Sequence, residues 1–220
     1  MTTHSGSHPA TARGRDEKFR ALAALGAGDF AHINGSLEEH FVGVHDMLVD
    51  WGARPVLCDA GLFHAAYGTV HFTDAMLPLD KRALVAGIIG AEAEAIVYRY
   101  CSCDRATVWP RIGAAVPLPF EDRFTGETIL MPLDELKEFC ELTAANELQI
   151  AAGEPGFREQ HRAVFTSLFS RMRPWLSEPG NRFAASLFDT GGEARIGAWR
   201  SPIAAGGGLS LCSRHGAGSP

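Results

Sequence analysis

Several features are scarce in this chain of 220 residues, and each absence excludes a class of protein. Lysine occurs only at positions 18, 81 and 137, no stripe of basic residues is present, and the net charge is −6. Nucleic acid and anionic membranes are therefore excluded as expected partners. No apolar run approaches the ~20 residues of a membrane span. The opening residues, MTTHSGSHPATARGR, lack the apolar core of a signal peptide, so we expect a cytoplasmic protein.

Cysteine is also sparse, with five residues scattered along the chain. An odd, scattered set favours reduced thiols over a disulfide framework. The excess of arginine over lysine is typical of a GC-rich bacterial genome. The hydrophobic content of 46%, with 13 phenylalanines and 4 tryptophans, is enough for one sizeable core. We expect a disordered N-terminus over 1–14, one helical domain over 15–190, and a flexible tail over 191–220.

Apolar residues recur at helical spacing through most of the chain. The clearest case is a stripe that Gly52 ends, formed by Leu37, Phe41, Val44, Leu48 and Trp51. Residues 55–66 are apolar nearly all round, which predicts a buried helix. Further helices are predicted at 15–27, 78–87, 89–104, 134–152, 157–172 and 177–190. Residues 110–120 are expected to form a loop and 122–131 a small hairpin. The predicted fold class is mainly α, a single-domain helical bundle.

The stretch 56–69, VLCDAGLFHAAYGT, carries the most chemical information. Its apolar run ends at His64. A buried histidine costs free energy unless its ring nitrogens are satisfied, and a metal ion is one way to satisfy them. A hydrogen bond to a backbone carbonyl is the alternative.

Two more residues fall on core-facing stripes of other predicted helices, His40 and Asp104. Two imidazoles and one carboxylate converging from three helices would bind a divalent metal and leave positions open for substrate or water. For Asp104, the alternative is an ion pair with Arg99 or Arg105 on the surface.

The segments LEHFVGVHDMLVDWG, AGLFHAAYGT and CSCDR, in this order, resemble a divergent branch of the HD-domain superfamily, whose members are helical metal-dependent phosphohydrolases. The resemblance covers about residues 32–150. It implies an HD-like helical fold with His40, His64 and Asp104 as metal ligands. Ala65 stands where these enzymes place an aspartate, which implies a reduced, single-metal site. Glu147, on a later helix, is an additional ligand candidate.

A literal His-Asp dipeptide also occurs, at His45-Asp46, but it falls in the middle of a helix rather than at the end of a buried run. We therefore do not interpret it as the metal-binding dyad.

Residues near the predicted ligands are candidates for catalysis and substrate binding. His32, Tyr67 and Thr69 could orient a substrate or a bound water, although a loop histidine and a tyrosine covering the core edge are the simpler alternatives. Arg99, Arg105 and Arg111 could bind a phosphate or carboxylate with their guanidinium forks. Most surface arginines have no such role.

Three functions follow as hypotheses. The first is a metal-dependent hydrolase acting on a small, phosphorylated molecule. The second is a mononuclear non-heme Fe(II) oxygenase acting on a small metabolite. The third is a metal-free, non-catalytic HD-like binding protein. The expected cofactor is a divalent metal ion (Fe, Mn, Zn or Mg, with iron favoured). The expected partner is a small-molecule substrate, and a homodimer is left open.

Overall fold

The computed structural model describes residues 9–24, 36–70 and 75–188. Within these residues the chain forms helices α1 (Pro9–Ala24), α2 (Ser36–Asp50), α3 (Pro55–Leu62), α4 (Arg82–Ile89), α5 (Ala91–Ser102) and α6 (Arg105–Val108), followed by strands β1 (Leu118–Asp122) and β2 (Glu127–Met131), and then by helices α7 (Leu133–Gly153), α8 (Pro155–Gln160), α9 (Arg162–Met172) and α10 (Glu178–Phe188). The prediction of a mainly α fold with one small hairpin is confirmed. The tail expected at 191–220 lies outside the described residues.

Several helix ends differ from the sequence prediction, and the helix predicted at 157–172 is divided into α8 and α9. Helix α1 begins at Pro9, inside the stretch 1–14 that was expected to be disordered. Helix α3 ends at Leu62, so that His64 lies in the turns that follow it. Helix α5 ends at Ser102, and Asp104 therefore begins α6 instead of ending α5. These shifts matter because the last two move predicted ligands off their helices.

The hairpin begins earlier than predicted. Strand β1 starts at Leu118, within the stretch 110–120 that was expected to be a loop, and pairs antiparallel with β2. Burial alternates along β1, with Leu118 and Phe120 fully buried. This alternation places one face of the strand on the core. The prolines at 117 and 119 concealed the pattern in the sequence.

The apolar stripe of α2 packs as predicted. Phe41, Val44 and Leu48 are fully buried, and α2 packs against α3 and α7. Gly52 has a φ of +73°, which glycine adopts without strain, so it ends the helix. Gly61 allows α3 to approach α2 closely, because a Cβ there would lie 2.6 Å from Leu48 Cδ1.

Helix α7 is the central element and is buried for most of its length. Its buried residues include a polar set that faces the core, namely Thr143, Asn146, Glu147 and Gln149. Buried polar groups need hydrogen-bond partners. A polar site inside the core is therefore expected around these four side chains. No helix among the described residues is long and apolar enough to cross a membrane.

Candidate functional site

Two of the three predicted metal ligands meet in the structure. His40, in α2, and His64, just after α3, have ring centroids 5.1 Å apart and lie nearly perpendicular to each other. The rings of Phe41 and Tyr100 also contact His64 edge-on. His64 is buried and His40 is half-buried. The structure therefore brings these two side chains together, although His64 lies in the turns after α3.

The His64 ring is held by its own backbone. Nδ1 donates a hydrogen bond to the carbonyl oxygen of Gly61 at 2.7 Å, which leaves Nε2 without a proton in the neutral ring. Burial, together with repulsion from His40 and Arg105, lowers the pKa of His64 to about 3. His64 is thus neutral at physiological pH. This geometry fits the alternative raised from the sequence, a core histidine bonded to a carbonyl, and it is also the arrangement in which metal-bound histidines direct Nε2 toward the metal.

His40 contacts two amide side chains of α7. Nε2 lies 3.0 Å from Asn146 Oδ1, and Nδ1 lies 2.5 Å from Gln149 Oε1. Burial lowers the pKa of His40, although these amides and the charge of Glu147 oppose the change. A neutral ring has one donor and one acceptor, so only one of the two nitrogens can face an amide oxygen.

The hydrogen bonds of Asn146 decide which nitrogen carries the proton. Its Nδ2 donates to Glu147 Oε1 at 2.9 Å, so Oδ1 faces His40 and accepts a hydrogen bond from Nε2–H. Gln149 Nε2 is buried without a hydrogen-bond partner. Rotating this amide by half a turn would direct Nε2 toward Nδ1 of His40 and pair both groups.

The network continues into an ion pair. Arg105 Nη1 donates to Glu147 Oε1 at 2.8 Å, and Nη2 donates to the hydroxyl oxygen of Tyr100 at 2.9 Å. The side chains of Arg105 and Glu147 are only 10% and 5% exposed. The guanidinium also lies 4.9 Å from the ring centroid of Trp109. The site therefore contains two neutral imidazoles and one internally neutralised ion pair.

The third predicted ligand has a different role. Asp104 caps α6, where Oδ1 accepts from the backbone N–H groups of Ala106 at 3.0 Å and Thr107 at 3.4 Å. Among the described residues, no group of three or more His, Cys, Asp or Glu side chains could hold a metal ion. The structure thus does not bring Asp104 to the histidines, because α5 ends before it.

The donor atoms that are present do not fit a divalent metal. The neighbour of the histidine pair is the amide of Asn146, which is a weaker ligand than a carboxylate. The adjacent carboxylate, Glu147, is neutralised by Arg105, whose positive charge opposes a bound cation. Glu147, the additional ligand candidate, therefore lies next to the histidines, but its carboxylate is already paired with Arg105.

Of the residues predicted to act in catalysis, Tyr67 takes part in a different set of hydrogen bonds. Tyr67 is buried and donates to Glu94 Oε1 at 2.9 Å, and Arg82 pairs with the same carboxylate. This arrangement holds the turn that follows His64. Thr69 is buried. His32 lies outside the described residues.

Of the predicted phosphate-binding arginines, only Arg105 joins the site. Arg99 pairs with Glu135 at 2.7 Å, and Arg111 pairs with Glu121 at 3.5 Å. These two arginines therefore have the ordinary surface role.

The literal dipeptide lies on the part of α2 that faces α1. His45 Nδ1 lies 2.8 Å from Asp46 Oδ1, and Arg15 Nη1 donates to both oxygens of Asp46 at 2.9 Å. Although burial raises the pKa of Asp46, hydrogen bonds from His45 and Arg15 hold it below its ordinary value. The dipeptide thus attaches α1 to α2.

Sequence reasoning missed Asn146 and Gln149. Both lie in the buried part of α7, and their spacing of three residues places them near one face of the helix. The signal available in the sequence was the presence of two amide side chains, three residues apart, in a long predicted helix.

The fold and the site together define a mainly helical protein with a buried histidine–amide–ion-pair network. Comparison with known proteins adds one similarity. Residues 21–105 match the model of a family described as a domain of unknown function, DUF6817. The matched segment contains His40, His64 and Arg105 but ends before α7. No curated protein and no solved structure matches the chain.

Proposed function

We propose that this chain is a metal-free, HD-like binding protein that recognises a small polar molecule at the His40 end of the buried network. One observation carries the proposal: both ring nitrogens of His40 face amide groups of α7, so this imidazole has no nitrogen free to coordinate a metal. The nearby carboxylates have other partners, since Asp104 caps a helix and Glu147 pairs with Arg105.

Burial supports the His40 end of the network as the location of the proposed binding site. His64 is enclosed by aromatic rings and lies too deep for a ligand to reach. His40 is half-buried, and Trp109, which covers Arg105, is half-buried as well. A ligand that approaches this end would meet an imidazole, an indole and the edge of a guanidinium. Such a surface suits a small molecule that combines a polar group with a flat or apolar part.

The first experiment measures metal content. The full chain is purified without chelators, incubated with Fe(II) under anaerobic conditions or with Mn, Zn or Mg, and analysed by mass spectrometry of the metals. We expect less than stoichiometric metal and the same result for His40→Ala and His64→Ala. Stoichiometric metal in the wild type that both variants lose would overturn the proposal.

A gain-of-function variant makes this experiment sharper. Ala65→Asp combined with Asn146→Asp supplies two carboxylates beside the histidines. If the HD-like arrangement is correct, the double variant should bind a divalent metal that the wild type does not bind. Asp104→Asn is the matched control, since it alters a carboxylate that lies outside the network.

The second experiment measures ligand binding by thermal shift, using sugar phosphates, nucleotides, small carboxylates and sugars. A ligand at 100 times its Kd should stabilise the fold by about 2.7 kcal/mol. We expect a shift that His40→Ala abolishes and Glu178→Gln, a substitution at an exposed carboxylate of α10, retains. A shift that survives His40→Ala would place the binding elsewhere.

The metal-dependent hydrolase and the non-heme iron oxygenase are the remaining candidates. The proximity of the two imidazoles, with centroids 5.1 Å apart, is the observation that favours them. Stoichiometric metal would favour the hydrolase, and oxygen consumption by the Fe(II)-loaded protein would favour the oxygenase. A cytoplasmic location is part of the same proposal, and it is supported by four buried, unpaired cysteines at 58, 101, 103 and 140.

A further inference from the structure

The hairpin has one covered edge and one open edge. The outer edge of β1 is covered by the end of α5, because Asp104 N–H donates to Glu121 O at 3.3 Å and Arg123 N–H donates to Ser102 O at 2.8 Å. Strand β2 pairs with β1 alone within the described part of the chain. An unpaired strand edge is a template for another strand.

The ladder register shows which backbone groups the open edge presents. Glu121 directs its carbonyl away from β2, and its register partner is Thr128. In an antiparallel ladder, residues of such a pair direct N–H and C=O away from each other. Thr128 therefore presents both groups outward, as does Leu130 two residues later. Pro119, the register partner of Leu130, agrees with this assignment, since it has no N–H to direct toward β2.

The side chains along this edge are apolar and exposed. Leu130 is 65% exposed, and Ile129 is 43% exposed although it lies on the same side of the strand as the buried Met131. Val116 and Leu133 continue the exposed surface just beyond the strands. Glu127 is the only charged residue of β2. Residues 128–131 thus lack the charges and prolines that normally protect an edge.

We propose that β2 pairs antiparallel with β2 of a second copy of this chain, about a twofold axis that passes through Ile129. In this register Thr128 lies opposite Leu130 of the second copy, and the outward N–H and C=O groups of both residues pair. Each Glu127 lies opposite a Met131, whereas a parallel arrangement would place the two Glu127 carboxylates side by side. The strand is therefore its own complement in backbone groups, and this register keeps the two carboxylates apart.

The size of the contact sets the expected strength. Pairing of five residues at an edge covers less than the ~800 Å² per partner of a standard interface. We therefore expect a weak dimer that dissociates on dilution.

Cysteine cross-linking tests the register. The twofold axis makes Ile129 and its copy a pair that is not hydrogen-bonded, with Cα atoms about 4.5 Å apart, which suits a disulfide. In a Cys212→Ser background, Ile129→Cys should form a covalent dimer under mild oxidation. Leu130→Cys is the matched control, because it is more exposed but does not face its own copy. Equal cross-linking of both variants, or of neither, would overturn the proposal.

Sedimentation equilibrium over a range of concentrations tests the pairing itself. Thr128→Pro removes an outward N–H from each copy without removing a hydrogen bond to β1, and should raise the dissociation constant by about tenfold or more. Leu130→Lys is a second variant that adds a charge to the edge, and Thr128→Ser is the control. A monomer at all concentrations, or a dimer that both variants leave unchanged, would contradict the inference.

Discussion

Replacing Glu147 by glutamine tests the buried network most directly. The carboxylate is 5% exposed, and its Oε1 accepts hydrogen bonds from both Arg105 and Asn146. The substitution leaves the Arg105 guanidinium, 10% exposed, without a compensating charge. Breaking one partner of a buried ion pair costs about 3–5 kcal/mol. For a domain of this size the corresponding decrease in Tm is about 6–20 °C.

The assay is urea unfolding followed by circular dichroism, with Glu159→Gln as a control. Glu159 pairs with Arg162 on the surface, where removal of an ion pair costs about 0–1 kcal/mol. The double variant Arg105→Met/Glu147→Leu should be more stable than Glu147→Gln alone, because neither charge remains buried. A loss below about 1 kcal/mol for Glu147→Gln would show that the guanidinium reaches solvent and would refute this reasoning.

Three other predictions use the same unfolding assay. Because the folded-state pKa of His64 lies at about 3, below the ordinary histidine value of 6.5, stability should fall as the pH decreases between these values. The slope should reach about 1.4 kcal/mol per pH unit, and His64→Gln should flatten it; an unchanged slope would assign the effect to other groups. Asp104→Ala should cost about 0.5–2 kcal/mol as a lost helix cap, and Asp104→Asn should restore most of it. Gly61→Ala should cost about 1–3 kcal/mol through overpacking. Gly87→Ala, in open space on α4, should stabilise by up to about 1 kcal/mol, and equal effects of the two alanines would contradict the packing argument.

The helices were predictable because their signals are local. The stripe from Leu37 to Trp51 and the stop at Gly52 required only the period of the helix. The ends of α3 and α5 were not predictable in this way. Both fall within runs whose residues are compatible with further helix, and the turns there depend on contacts from distant segments. Arg123, for example, donates to the carbonyls of Cys101 and Gly68.

The candidate site was predictable in part. The sequence alone determined that His40 and His64 lie on core-facing positions, because apolar neighbours bury them wherever the helices pack. Only the tertiary structure decided their partners. The position of α7 brings Asn146 and Gln149 to His40, and the early end of α5 assigns Asp104 to a helix cap. Hydrogen-bond partners that lie more than a hundred residues apart depend on how helices pack, and no local pattern in the sequence encodes that distance.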